Sequence, residues 1–548
     1  MSSPQKPSRL APAWIFRVHG LGVDLLVAAF TLLLGATIGI PASTQSNKSV
    51  MKSGGASETS YLRKAQQALE AHNLAEAKTQ LELALRANPK SAEALLMLGF
   101  VELQSGDTAQ AIEHFECVLK LNPESFSGHY NLALAHLRQQ DVAAGLHELE
   151  RAVALNPQHA GAAYNLGLVL LEMGRPEEAL TQLRRAKALG PEGTDVSVNI
   201  ARAELALHHV EEAKREADIA AKTFGNDPRW QATMGQLFLD HGQPQQALGY
   251  LTEALRLQPS EIQIRRLLAS AQLATGNAAA VLALIPAPES AQDHYLLAGA
   301  FYLLRQLPKA DEESRLAFER DPHDSRSLVL QARIRQQLGQ HDAALELLKK
   351  ATELTPQWSE PCYSAAVSYY FERRYAEAQR SLDRALELDP KSVRALFLYA
   401  ASLVNEGKNR QAVEFLRRAI GLEPDNARFY YHLGALRLRD DRWSEAREAF
   451  EKAAHLKPDY ALPHYQLGKL LLRSNHPQGA VRELETAVRD QPDLAQAYYQ
   501  LGRAYTLLGE TRKSEQSLAT FAKLKQQELD EEKQMMEEVQ RQSNFLAR

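Results

Sequence analysis

The chain has only two cysteines, Cys117 and Cys362, 245 residues apart. That spacing and number make neither a disulfide framework nor a metal-ligand cluster. Both fall in helical runs among apolar neighbours, so they read as buried or half-buried thiols that do not report the redox compartment. Excess charge is missing as well. Lys and Arg total 63 against 67 Asp and Glu, a net charge of -4 over 548 residues. This gives no global electrostatic case for binding nucleic acid or an anionic membrane surface. There is no zinc-binding helix pattern, no phosphate-cradling glycine loop, no nucleophile elbow and no EF-hand. His208-His209, and His455 with His464, are the local histidine groupings, and neither has the spacing and carboxylate partner of a metal or acid–base site. What remains is an ordinary globular composition, 45% hydrophobic and 24% charged.

The N-terminus carries its own signal. Lys6, Arg9 and Arg17 precede any acid, and residues 25–40, LLVAAFTLLLGATIGI, are 16 uncharged and mostly apolar positions followed by PASTQSNKS. This is the shape of a secretory signal with Ala42 as the last residue before cleavage. Counted back through Val18 the segment reaches 23 residues, long enough to anchor in a bilayer through residues 18–40, though Asp24 interrupts it. Cleaved signal and uncleaved anchor both stay open, and either one places the rest outside the cytoplasm, in a periplasmic or equivalent space. A buried N-terminal helix of a cytosolic chain is the competing reading.

A 34-residue period governs the rest. Prolines stand at 89, 123, 157 and 191, and again at 288, 322, 356, 390, 424, 458 and 492. With this proline as position 32, position 8 is Gly or Ala in every unit, from Ala65, Gly99 and Ala133 through to Gly502. Position 20 is Ala in all units but those with Gly145, Val281 and Ser514. Each unit holds an apolar run of helical period, a break such as Gly106-Asp107 or Gly339-Gln340, and a second run. Small residues at two facing columns let paired helices approach closely. One hairpin cannot bury its own apolar face, so units stack and share a core.

These columns resemble the tetratricopeptide repeat. Repeat 12 carries the pattern as Tyr430, Leu433, Gly434, Ala446, Phe450, Ala453 and Pro458, with Arg437 in place of the usual aromatic, and repeat 14 has Tyr498, Leu501, Gly502 and Tyr505. The resemblance implies an all-α, right-handed superhelical solenoid of about fourteen helix-turn-helix repeats with a C-terminal capping helix. The expected layout is a signal or anchor over 1–42, a linker over 43–57, repeats 1–7 over 58–290, repeats 8–14 over 291–527 and a helical tail over 528–548. Gly225 replaces the proline of repeat 5, where it suits a left-handed helix stop. Repeat 7 spans only 262–290, shortened by Pro286 and Pro288, as a joint between two subarrays or as a simple deletion. Repeat 14 lacks its proline, so its second helix can run on, with Leu518 and Phe521 closing the core. The array consumes nearly the whole chain. No enzyme, cofactor or metal is expected.

In the family, positions 2, 5, 6 and 9 of each first helix line the inner face. Position 6 is Asn131, Asn165 and Asn199 in three successive units. The array resembles that of O-linked N-acetylglucosamine transferases, whose asparagine ladder holds a peptide main chain, although no glycosyltransferase domain follows here. An amide offers a donor and an acceptor to an extended chain. A recurring solvated Asn is the competing reading. In the later units, position 5 is Tyr295, Tyr363, Tyr431, Tyr465 and Tyr499; position 6 is His432, Gln466 and Gln500; position 9 gives Lys469 and Arg503; and position 2 gives Arg394 and Arg428. Tyrosines beside cations and amides suit a segment bearing carboxylates or a C-terminus. The chaperone-binding relatives clamp such an end, but their full Lys/Asn/Arg set is not matched here. Packing also explains such a tyrosine stripe.

The expected function is that of a noncatalytic exported scaffold binding peptides or protein partners on its inner face. The alternative is a structural subunit of an envelope assembly, such as a polysaccharide-export or pilus-assembly complex. Protein partners, and no nucleic acid, are expected in either case.

Overall fold

The structure, a computed structural model, describes residues 55–190 and 194–546. The expected signal or anchor, with its membrane role for residues 18–40, lies outside them, as do residues 43–54 of the linker. Residues 55–57 are already helical. Among the described residues no helix is long and apolar enough to cross a membrane.

The described residues form twenty-eight helices and no strand, and the helices pair in sequence as hairpins. Repeat 4 is representative, with a first helix Ala160–Glu172 and a second helix Pro176–Leu189. The turn between them has a fixed cause. Position 15 takes a positive φ in all fourteen hairpins. Seven use glycine (Gly106, Gly174, Gly242, Gly276, Gly339, Gly407, Gly509), and seven use His72, Gln140, His208, Arg305, Arg373, Asp441 and Asn475. A left-handed residue at that point stops the first helix and reverses the chain.

Size matching sets how closely the two helices pack. A Cβ on Gly434 would meet Phe450 at 2.7 Å, and one on Gly99 would meet Phe115 at 2.6 Å. Position 8 is therefore small because the position 24 side chain lies on it. Phe115 and Phe450 are fully buried, and both face glycine. Leu at position 24 is compatible with either small residue: Leu81, Leu149 and Leu382 face the buried Ala65, Ala133 and Ala366, whereas Leu183, Leu251 and Leu484 lie against Gly167, Gly235 and Gly468.

A polar device links four of the repeats to the one before. In repeats 3, 6, 7 and 13 the position 4 side chain reaches back to the main-chain carbonyl at position 32. His129 Nε2 donates to Pro123 O (3.0 Å), Gln231 Nε2 to Gly225 O (2.8 Å), Arg265 to Pro259 O (3.1 Å) and His464 Nε2 to Pro458 O (3.1 Å). Each bond satisfies a carbonyl freed where a second helix has ended.

Gly225 is not left-handed: its φ of -58° is right-handed helical, and the chain needs glycine there because a Cβ would strike the carbonyl oxygen of Ala221 at 2.3 Å. Repeat 7 has a second helix of only 7 residues, Ala278–Leu284, and the chain divides into two compact units, Met1–Pro288 and Glu289–Arg548. The last helix runs on as expected, over 36 residues, Thr511–Leu546. Leu518 packs beneath Gly502, and the Phe521 ring lies 5.3 Å from that of Tyr499.

Candidate partner-binding faces

In the first unit the three position 6 amides have different surroundings. Asn165 and Asn199 are buried, with 5% and 7% of their surface exposed. Asn165 Nδ2 donates to the phenolic oxygen of Tyr130 (2.9 Å), and Asn199 Nδ2 donates to that of Tyr164 (3.0 Å) and to Asp195 O (2.8 Å). Tyr130 and Tyr164 occupy position 5 of the preceding repeats. Repeat 2 has Leu96 at position 5, so Asn131 finds no phenol and donates to Ser127 O in its own helix (2.9 Å). The three-rung ladder expected from the sequence thus takes another form, because two of its amides spend their donors between repeats. Asn199 Oδ1 is buried with no hydrogen-bond partner among the described residues. Burial pushes the Tyr130 phenol up to about 12 against the pull of the Asn165 bond, and burial likewise raises Tyr164.

The second unit changes character along its length. Its early tyrosines are covered: the Arg326 guanidinium lies 5.5 Å from the Tyr295 ring centre, and that of Arg394 lies 4.5 Å from Tyr363. Arg394 and Arg333 both pair with the buried Glu360, which consumes their charge locally. These tyrosines serve packing.

The last three repeats differ. Their first helices, Ala427–Arg439, Ala461–Arg473 and Ala495–Leu507, contain no Asp or Glu. Arg428, Arg439, Lys469, Arg473 and Arg503 are all exposed, and among the described residues none has a carboxylate within ion-pairing distance. Aromatic and amide groups lie between them. Tyr499 is 42% exposed, whereas Tyr431 and Tyr465 are half-buried. Lys469 stands 5.3 Å from the Tyr465 ring centre, and Arg473 lies 3.7 Å over Trp443. Gln500 Oε1 accepts from Arg503 (3.1 Å), while Gln466 Oε1 is buried without a partner. His432 sits edge-on to Phe397 (4.9 Å) and Tyr431 (5.3 Å); burial first, then Arg428, lowers its pKa. An imidazole kept neutral there is a hydrogen-bonding group and adds no charge.

Tetratricopeptide repeat models match residues 62–126, 97–146, 130–194 and 232–285, residues 170–237 and 437–501, and residues 325–357 and 495–539. The chain belongs to the tetratricopeptide repeat family. A model described as anaphase-promoting complex, cyclosome, subunit 3 also matches residues 372–453. No curated protein matches the chain. Solved structures of similar fold include the APC/C hetero-tetramer Cut9-Hcn1, 15% identical over 82% of this chain and 96% of that one, with a TM-score of 0.39. Yeast Tom70 is 15% identical over 77% and 97%, with a TM-score of 0.40. A human IFIT1 dimer with m7Gppp-AAAA is 18% identical over 67% and 90%, with a TM-score of 0.43.

Within this tetratricopeptide array, reading the sequence column by column located Arg428, Lys469 and Arg503 but overlooked Arg439 and Arg473 at position 13. It also overlooked Tyr130 and Tyr164 as partners of the amides. The signal was present: a position 5 tyrosine followed 35 residues later by a position 6 asparagine, twice in succession. The tetratricopeptide fold suggests protein–protein interaction.

Proposed function

We propose that the chain is an exported, noncatalytic scaffold that holds an anionic protein segment along the first helices of repeats 12–14. One observation carries this reading: three successive first helices without a carboxylate present five unpaired cations interleaved with Tyr431, Tyr465 and Tyr499. Guanidinium and ammonium groups without a carboxylate partner are available to carboxylates of a ligand. The tyrosines add apolar contact at low entropic cost, and Gln466 and Gln500 offer amides to a main chain. Export is supported by the basic residues Lys6, Arg9 and Arg17 ahead of the apolar run 25–40.

Two labelled peptides of equal length, one Glu-rich with a free C-terminal carboxylate and one Lys-rich, test the binding reading by fluorescence anisotropy. The Glu-rich peptide should bind, and the triple variant Arg428→Ala, Lys469→Ala, Arg503→Ala should bind it roughly tenfold more weakly, given about 0.2–1 kcal/mol per exposed ion pair. Equal binding of the two peptides, or an unaffected triple variant, overturns it. A reporter fused after residue 60 should be active only outside the cytoplasm, and cytoplasmic activity would sink the export reading.

A further inference from the structure

The final helix ends in a segment whose chemistry complements that wall. Residues 528–546 contain Glu528, Asp530, Glu531, Glu532, Glu537 and Glu538 against Lys533 and Arg541, a net charge of -4. They belong to one unbroken helix, Thr511–Leu546, with no glycine or proline after Gly509 to turn the chain. In the other full-length repeats a second helix of 14 or 15 residues spans its antiparallel partner. The helix therefore continues past the end of the last hairpin without turning back.

We propose that the anionic segment held by repeats 12–14 is the acidic helical extension of a second copy of this chain. This inference rests on the cationic wall described above. Lengths agree: 19 residues of helix extend about 28 Å at about 1.5 Å per residue, and three first helices with axes about 8–10 Å apart, each about 10 Å across with its side chains, present a face about 26–30 Å wide. Charges agree as well: the wall has five cations without carboxylate partners, and the sequence of the extension carries six acids. Glu528, Asp530 and Glu531 are exposed and, within their own helix, make only short-range bonds such as Lys525 to Glu528 and Gln526 to Asp530. Each copy carries both the wall and the extension, so the contact is reciprocal about a twofold axis.

The full chain should sediment as a concentration-dependent dimer that weakens as salt rises and the Debye length falls below about 10 Å. A tail-neutral variant, with Glu528, Glu531, Glu532, Glu537 and Glu538 changed to Gln and Asp530 to Asn, should be monomeric. A wall-reversed variant (Arg428→Glu, Lys469→Glu, Arg503→Glu) and a tail-reversed variant (the six acids changed to Lys) should each be monomeric alone and should dimerise when mixed, because both contacts are then complementary. A monomeric wild type, a tail-neutral variant as dimeric as the wild type, or reversed variants that fail to pair on mixing overturns the proposal. The Glu-rich peptide, added to the tail-neutral variant, separates the two readings. If it binds while the wild type is monomeric, the cationic wall stands and self-association falls; if it does not bind, the wall falls and the proposal with it.

Discussion

Asn165 donates from Nδ2 to the phenolic oxygen of Tyr130 at 2.9 Å, joining position 6 of one repeat to position 5 of the repeat before it. Asn199 and Tyr164 repeat the contact one unit later at 3.0 Å. The two bonds stitch repeats 3, 4 and 5 together on their first-helix side, where side chains of an array would otherwise face a ligand.

That placement makes Asn165 and Asn199 stability residues. Asn165→Ala and Asn199→Ala should each destabilise the first unit by about 1–3 kcal/mol, since a buried phenol loses its partner. Asn131→Ala should cost less, because it removes only a bond within its own helix. Urea unfolding checks this, and a double-mutant cycle of Asn165→Ala with Tyr130→Phe should show coupling of about 0.5 kcal/mol or more. Additive losses would deny the contact its role.

His464 is held between two acceptors, Glu483 Oε2 at 2.7 Å from Nδ1 and Pro458 O at 3.1 Å from Nε2. Both ring nitrogens must carry protons to satisfy them, and the Glu483 hydrogen bond raises the histidine above its ordinary 6.5. A folded-state pKa above the unfolded one means the stabilisation is fully present below about 6.5 and is lost as pH rises through the folded value. Thermal stability of the second unit should therefore fall as pH climbs out of the acidic range, and Glu483→Gln should flatten that dependence. An unchanged pH profile in Glu483→Gln would count against the pair.

Position 15 is left-handed in every repeat, and seven repeats place a residue with a Cβ there. His208→Gly and Arg373→Gly should each stabilise the chain by up to about 1–2 kcal/mol, read as a raised denaturant midpoint. Asn475→Gly should gain less, because asparagine tolerates the left-handed region. The ranking is the test: an equal gain at all three sites would show that φ is not what limits them.

Glycine and alanine at position 8 are not interchangeable. Gly434→Ala should cost about 1–3 kcal/mol, because the new methyl meets the buried Phe450 ring. Gly167→Ala should cost less, since Leu183 replaces phenylalanine at position 24 and the Ala–Leu pairing already occurs at Ala133 and Leu149. Chemical denaturation of the two variants compares them directly.

The sequence by itself determined the helical hairpin, its 34-residue length and its small positions 8 and 20, because these depend on spacing within one repeat. The early end of repeat 7 was legible for the same reason, from Pro286 and Pro288. Tertiary structure decided what the polar columns do. Asn165 reads identically as a ligand contact or an inter-repeat bond until Tyr130, 35 residues earlier, is brought beside it by stacking. Gly225 is glycine for a close carbonyl, not for its φ, and only the packed turn separates those causes. The cations of repeats 12–14 lie on separate helices among dozens of balanced charges. They become one wall only when the first helices line up side by side and their partners, such as Glu445 beside Arg437, turn elsewhere. Local periodicity is written in neighbouring residues, whereas the sign and openness of a surface are sums over elements that meet only in the fold.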